Sequence, residues 1–186
     1  MIDDMKNFNW KAALPHVVAV LVFLVLTLVY FSPVLQGKDI MQDDAIGSMN
    51  WGKDAKEYPE ETGEYSYWSN SMFSGMPAYT VTGCGLAPNP VTTTMTKVLY
   101  ILGDKDGGIV LCGLICMYAL LIMLGCSIPV AVFGSFAFAL SSYSFIIIAA
   151  GHVIKAWAMA LMPLVLLGMA MLVKKKNKFL ATLVLD

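Results

Sequence analysis

Four long apolar runs, at residues 14–35, 107–125, 128–150 and 153–173, are separated by polar connections of very unequal length. Each is close to the roughly 20 residues that a helix needs to cross the hydrocarbon core of a bilayer. The first, LPHVVAVLVFLVLTLVYFSPVL, is longer than the roughly 7–15 apolar residues of a signal peptide and lacks a small-x-small cleavage site. It therefore reads as a retained transmembrane helix. Pro15 falls in its first turn, where a helix tolerates proline, and Tyr30 and Phe31 fall near the far interface. Gly125, Cys126 and Ser127 break the second run from the third, with Ser127 as N-cap and Pro129 in the first turn behind it. The third run carries Ser135, Ser141, Ser142 and Ser144, small hydroxyls that suit helix–helix contacts in lipid. Gly151 and His152 make a tight reversal into the fourth.

A short mixed segment, 1–13, precedes the first run, and a lysine-rich stretch, 174–178, closes the fourth. Residues 179–186 turn apolar again, as the start of a fifth span that is cut short, so the chain reads as an N-terminal piece of a larger membrane protein. The predicted fold is an all-α, polytopic bundle of transmembrane helices. The lysines at 174–178 place that end in the cytoplasm by the positive-inside rule. The N-terminal segment, with Lys6 and Lys11, then shares the cytoplasmic side. The long connection 36–106 and the Gly151–Lys155 turn are external, so His152 and Lys155 can meet the loop.

That loop holds most of the 13 acidic residues and two of the four tryptophans, Trp51 and Trp68. Within it, Tyr65, Trp68, Met72 and Phe73 recur at helical spacing. They predict an amphipathic helix with an aromatic face, packed on the protein or lying in the interface plane, and ended by Gly75 and Pro77.

The chain is 58% hydrophobic and 13% charged over 186 residues, against about 25% charged in an ordinary soluble domain. The lipid bilayer is its first partner. A net charge of −1 gives no basic patch for nucleic acid. Every basic residue is lysine, so a phosphate has no bidentate arginine to meet. Cys112 and Cys116, one turn apart in an apolar run, read as small apolar residues. Cys84 has no second loop cysteine to pair with.

Asp43 and Asp44 follow the first span closely enough to lie at the membrane surface. A carboxylate there can act as a general base toward a hydroxyl, hold a divalent metal, or simply be solvated at a helix N-terminus. Lys155 can snorkel to the interface or meet a lipid phosphate. No acidic residue falls inside any of the four runs, which disfavours an ion-coupled path through them.

The segments PVLQGKDIMQDD, YWSNSMFSGMPAY and GHVIKAWAMALMPLVLLG together resemble the start of the YfhO family of bacterial membrane proteins, which is similar to the GT-C class of polytopic glycosyltransferases. The resemblance implies a multi-pass protein of the bacterial plasma (inner) membrane, GT-C-like, with a large external first loop containing an interfacial helix. It implies transfer of a sugar from a polyprenyl-phosphate carrier to an envelope polymer or lipid acceptor. Asp43 or Asp44 would be the catalytic base or hold a metal, and the 65–73 segment with Trp68 would match the interfacial helix. His152 and Lys155 are placed near the carrier phosphate by their position on the external turn. A divalent metal is the one cofactor left open. A transporter or flippase component, and a non-catalytic protein that binds an envelope partner, are the alternatives.

Overall fold

The computed structural model describes residues 10–38, 40–82, 94 and 105–174. The N-terminal residues 1–9, Cys84, the lysines after Lys174 and the expected fifth span at 179–186 lie outside them.

Four helical segments have the length and apolarity to cross a membrane. The first, α1 (Trp10–Tyr30), is 21 residues long, or about 31 Å at 1.5 Å per residue. It begins earlier than the apolar pattern suggests, so Pro15 lies in its second turn. It also ends earlier, because Pro33 has no N–H for a helical bond and its ring would crowd the carbonyl four residues back. A separate turn, α2 (Ser32–Leu35), follows with Pro33 near its start, and Gly37 at φ 82° ends it.

The loop then builds two helices, α3 (Asp43–Trp51) and α4 (Lys53–Thr62), joined at Gly52. Gln42, in extended conformation, is the N-cap of α3, and Asp43 and Asp44 occupy its first turn, where negative charge suits the helix dipole.

The helix expected over 65–73 is absent. In its place a two-stranded antiparallel hairpin pairs β1 (Trp68–Ser69) with β2 (Met76–Pro77). The reason lies 15 residues upstream. The Asp54 carboxylate accepts the Ser69 hydroxyl at 2.7 Å and the Asn70 N–H at 2.8 Å. Ser69 Oγ in turn accepts the Ser71 N–H. Backbone donors that a helix would use are thus bound to side chains, the competition through which Ser and Asp oppose helices. The hairpin turn passes through Phe73 and Ser74 at φ 50° and 63°, then Gly75 at φ 118°. Gly75 lies under the Trp68 indole, so close that a Cβ there would sit 2.5 Å from Nε1. A short α5 (Tyr79–Thr82) follows.

The helix α6 (Lys105–Leu124) is the centre of the bundle. Over its most apolar window 61% of residues are buried, against 17% to 28% for the other three spans. It packs on α7 (Ile128–Ala139), α9 (Val153–Val173) and α1. Gly113 permits this: its Cβ position lies 3.5 Å from Ala139 Cβ and 3.8 Å from Ala160 Cα. His16 Nδ1 and the Tyr118 hydroxyl are 2.7 Å apart, a polar tie between α1 and α6. Cys112 and Cys116 are free and buried, as small apolar residues would be.

The third apolar run is two helices. Leu140 ends α7, and Ser141 opens α8 (Ser142–Ala150) as an extended N-cap, its Oγ 3.0 Å from that of Ser144. Ser135 is fully buried at a helix contact, but its hydroxyl donates back to the Ala131 carbonyl rather than across helices. Gly151 at φ 90° makes the reversal into α9. At the other end of the bundle, Lys174 Nζ donates to the Met123 carbonyl at the close of α6.

Candidate functional site

Two spans, an even number, separate the loop from the α8–α9 turn, so both lie at one end of the bundle. What joins them is the side chain of Gln42. Only 2% exposed, Gln42 donates through Nε2 to both carboxylate oxygens of Asp106 at 3.2 Å and to the Ile148 carbonyl at 2.9 Å. Asp106 is 3% exposed and stands in the first turn of α6. It opens the apolar span itself, which corrects the expectation that no acidic residue enters one. Neither Gln42 nor Asp106 is distinctive in the sequence. The one available signal was a carboxylate at the lip of an apolar run, next to Gly107 and Gly108.

Two residues beyond Gln42 is Asp44, and four beyond Ile148 is His152. Asp44 Oδ2 and His152 Nδ1 are 3.0 Å apart. A carboxylate only accepts hydrogen bonds, so Nδ1 is the protonated nitrogen, and the lone pair of the neutral ring lies on Nε2. Both side chains remain open, 40% exposed for Asp44 and 54% for His152. The arrangement is a carboxylate-oriented imidazole at the surface, able to exchange a proton with an incoming hydroxyl.

The structure separates the two aspartates, which the sequence left equivalent. Asp43 is exposed and forms no ion pair among the described residues. The helical twist turns neighbouring residues to different faces, and only Asp44 meets the turn. Lys155, in the first turn of α9, holds its ammonium 5.5 Å from the centre of the Tyr143 ring on α8, a cation–π distance. Trp68 is 52% exposed on the hairpin, where Gly75 backs its ring. It makes no hydrogen bond, ion pair or ring contact with Asp44, His152 or Lys155 among the described residues. For a divalent metal, Asp44 and His152 supply two donors. Among the described residues no third His, Cys, Asp or Glu completes a group, so these side chains do not by themselves form a metal centre.

The loop carries a second polar knot at Asp54. Beyond Ser69 and Asn70, its carboxylate accepts the Ala55 N–H at 2.8 Å. The Ser69 hydroxyl, with the neighbouring Ser71, Asn70 and Ala55, outweighs the opposing effect of burial and lowers its pKa to about 2.

No family model, no curated protein and no solved structure matches the chain. The bundle and the site therefore stand on their own geometry: a membrane-type helical protein with an acid–base pair where its loop meets the end of the bundle.

Proposed function

We propose that the chain carries the acid–base centre of a GT-C-type glycosyltransferase of the YfhO kind, in a bacterial inner membrane. It moves a sugar from a polyprenyl-phosphate carrier to an envelope acceptor on the external face. The observation that carries this reading is the 3.0 Å contact between Asp44 and His152 at the loop end of four membrane-length helices. A lipid-linked donor arrives from the bilayer and a polar acceptor from water, and a pair at that boundary is reachable by both. His152 Nε2 removes the acceptor hydroxyl proton, and Asp44 holds the ring and stabilises the imidazolium that results. Lys155 meets the carrier phosphate, and Trp68 offers an aromatic face to the sugar or its carrier.

The test uses the full-length protein in membranes, with labelled sugar on a polyprenyl-phosphate donor. Asp44→Asn and His152→Ala should each lower transfer by about 10²–10⁴-fold while the protein accumulates normally. Transfer at the wild-type rate by both variants would remove the pair from catalysis.

A second reading, a transporter or flippase component, is favoured by one observation. Asp106 is a buried carboxylate at the mouth of a span, and intramembrane acids commonly mark ion or substrate paths. Loss of substrate movement on Asp106→Asn, with no sugar transfer by the wild type, would select it.

A further inference from the structure

Gln42 caps the helix that carries Asp44 and bonds through one amide to Asp106 and to the Ile148 carbonyl, four residues before His152, and we infer that it is the positioning residue that sets the Asp44–His152 geometry. The role rests on reading that pair as the acid–base couple.

The connection runs through short, stiff pieces of chain. On one side, the Gln42 carbonyl accepts the Ile46 N–H at 3.0 Å, so the residue that anchors the amide also starts α3. Asp44 is in the first turn of that helix. On the other side, the Gln42 amide grips the Ile148 carbonyl, which also accepts the Gly151 N–H at 3.0 Å. The His152 N–H returns to the Ile147 carbonyl at 3.1 Å. Both members of the pair are therefore referenced to one buried side chain, each through a single turn of backbone.

Asp106 supplies the third point. Its two oxygens receive the amide together, and its place at the start of the central helix fixes the junction to the most buried part of the bundle. At 2–3% exposure water does not compete with these bonds. The Asp44–His152 contact is itself 40–54% exposed. An exposed pair of this kind does not hold its own geometry against solvent. The buried amide does.

The chain has two histidines, and that makes the inference directly readable. Histidine-selective nitrogen-15 labelling of the chain in lipid gives one ring signature for His152 and one for His16, which sits against Tyr118 in the bundle and reports its packing. In the wild type, His152 should show the tautomer protonated at Nδ1. Gln42→Met keeps the side-chain length and removes the donor. It should shift His152 toward the ordinary tautomer mixture and leave His16 unchanged. Asp106→Asn, nearly isosteric, should shift it in the same direction, and the double variant should add little to Gln42→Met, because both break one junction. An unmoved His152 signal in Gln42→Met, with His16 native, overturns the inference. If Gln42→Met disturbs His16 as well, Asp106→Asn decides: a native His152 signature there overturns it equally. No sugar transfer is measured, so failure here is distinct from failure of the glycosyltransferase reading.

Discussion

The Ser69 hydroxyl donates to Asp54 across 2.7 Å, and this contact between a helix and a hairpin decides the conformation of the loop's most aromatic segment. Removing the carboxylate should release it. In Asp54→Ala, the Asn70 amide should exchange with solvent on the order of tenfold faster, the scale of one charge-assisted hydrogen bond discounted for exposure. Native-state hydrogen exchange measures this, and unchanged protection at Asn70 would show that β1 and β2 hold the turn alone.

The same contact has a defined pH dependence. The Asp54 pKa is lowered from 3.8 to about 2 in the folded chain, so the unfolded loop takes up its proton first as pH falls. The stabilisation is complete above about pH 4 and is lost progressively as pH falls toward 2. Asn70 exchange, corrected for its intrinsic rate, should rise over that window in the wild type and stay flat in Asp54→Ala.

Gly75→Ala meets two obstacles at once, a φ of 118° and the Trp68 ring 2.5 Å from the new Cβ. Backbone strain of this kind costs about 1–3 kcal/mol. Trp68 should become more exposed, seen as increased quenching of its emission in a variant lacking the other tryptophans. Unaltered quenching would mean that the hairpin accommodates the methyl by a simple shift.

Asp43 and Asp44 should separate cleanly in the transfer assay. Asp44→Asn loses the partner of His152 and should fall by about 10²–10⁴-fold. Asp43→Asn, which changes an exposed carboxylate without an ion pair among the described residues, should stay within about twofold of wild type, the range of a surface helix–dipole effect. A deeper loss at Asp43 would move the catalytic carboxylate to that residue.

Gly113→Val inserts a branched side chain where α6 meets Ala139 and Ala160 at 3.5–3.8 Å. Overpacking of this type costs about 1–3 kcal/mol. The expected outcome is a lower midpoint of thermal unfolding in detergent, partly recovered by Ala160→Gly. No recovery would place the strain elsewhere.

The apolar runs by themselves determined the four membrane-length helical segments, the breaks at Ser127 and Gly151, and the meeting of the long loop with the α8–α9 turn at one end, while the division of the third segment at Leu140 and Ser141 appeared only in the structure. The physical reason is that transfer of side chains into lipid is nearly additive along the chain, and helix length must match a fixed thickness. The polar geometry obeyed a different rule. The pattern Tyr65–Trp68–Met72–Phe73 has helical spacing, yet Asp54 takes the backbone donors of that segment and makes it a hairpin. Asp43 and Asp44 are equivalent as letters, and only the orientation of α3 against α8 and the turn that follows it brings one of them to His152. Gln42 and Asp106 are 64 residues apart and meet in a buried junction. Hydrogen bonds are short and directional, so their partners are chosen by where the packed helices bring distant side chains, and that choice belongs to the tertiary structure.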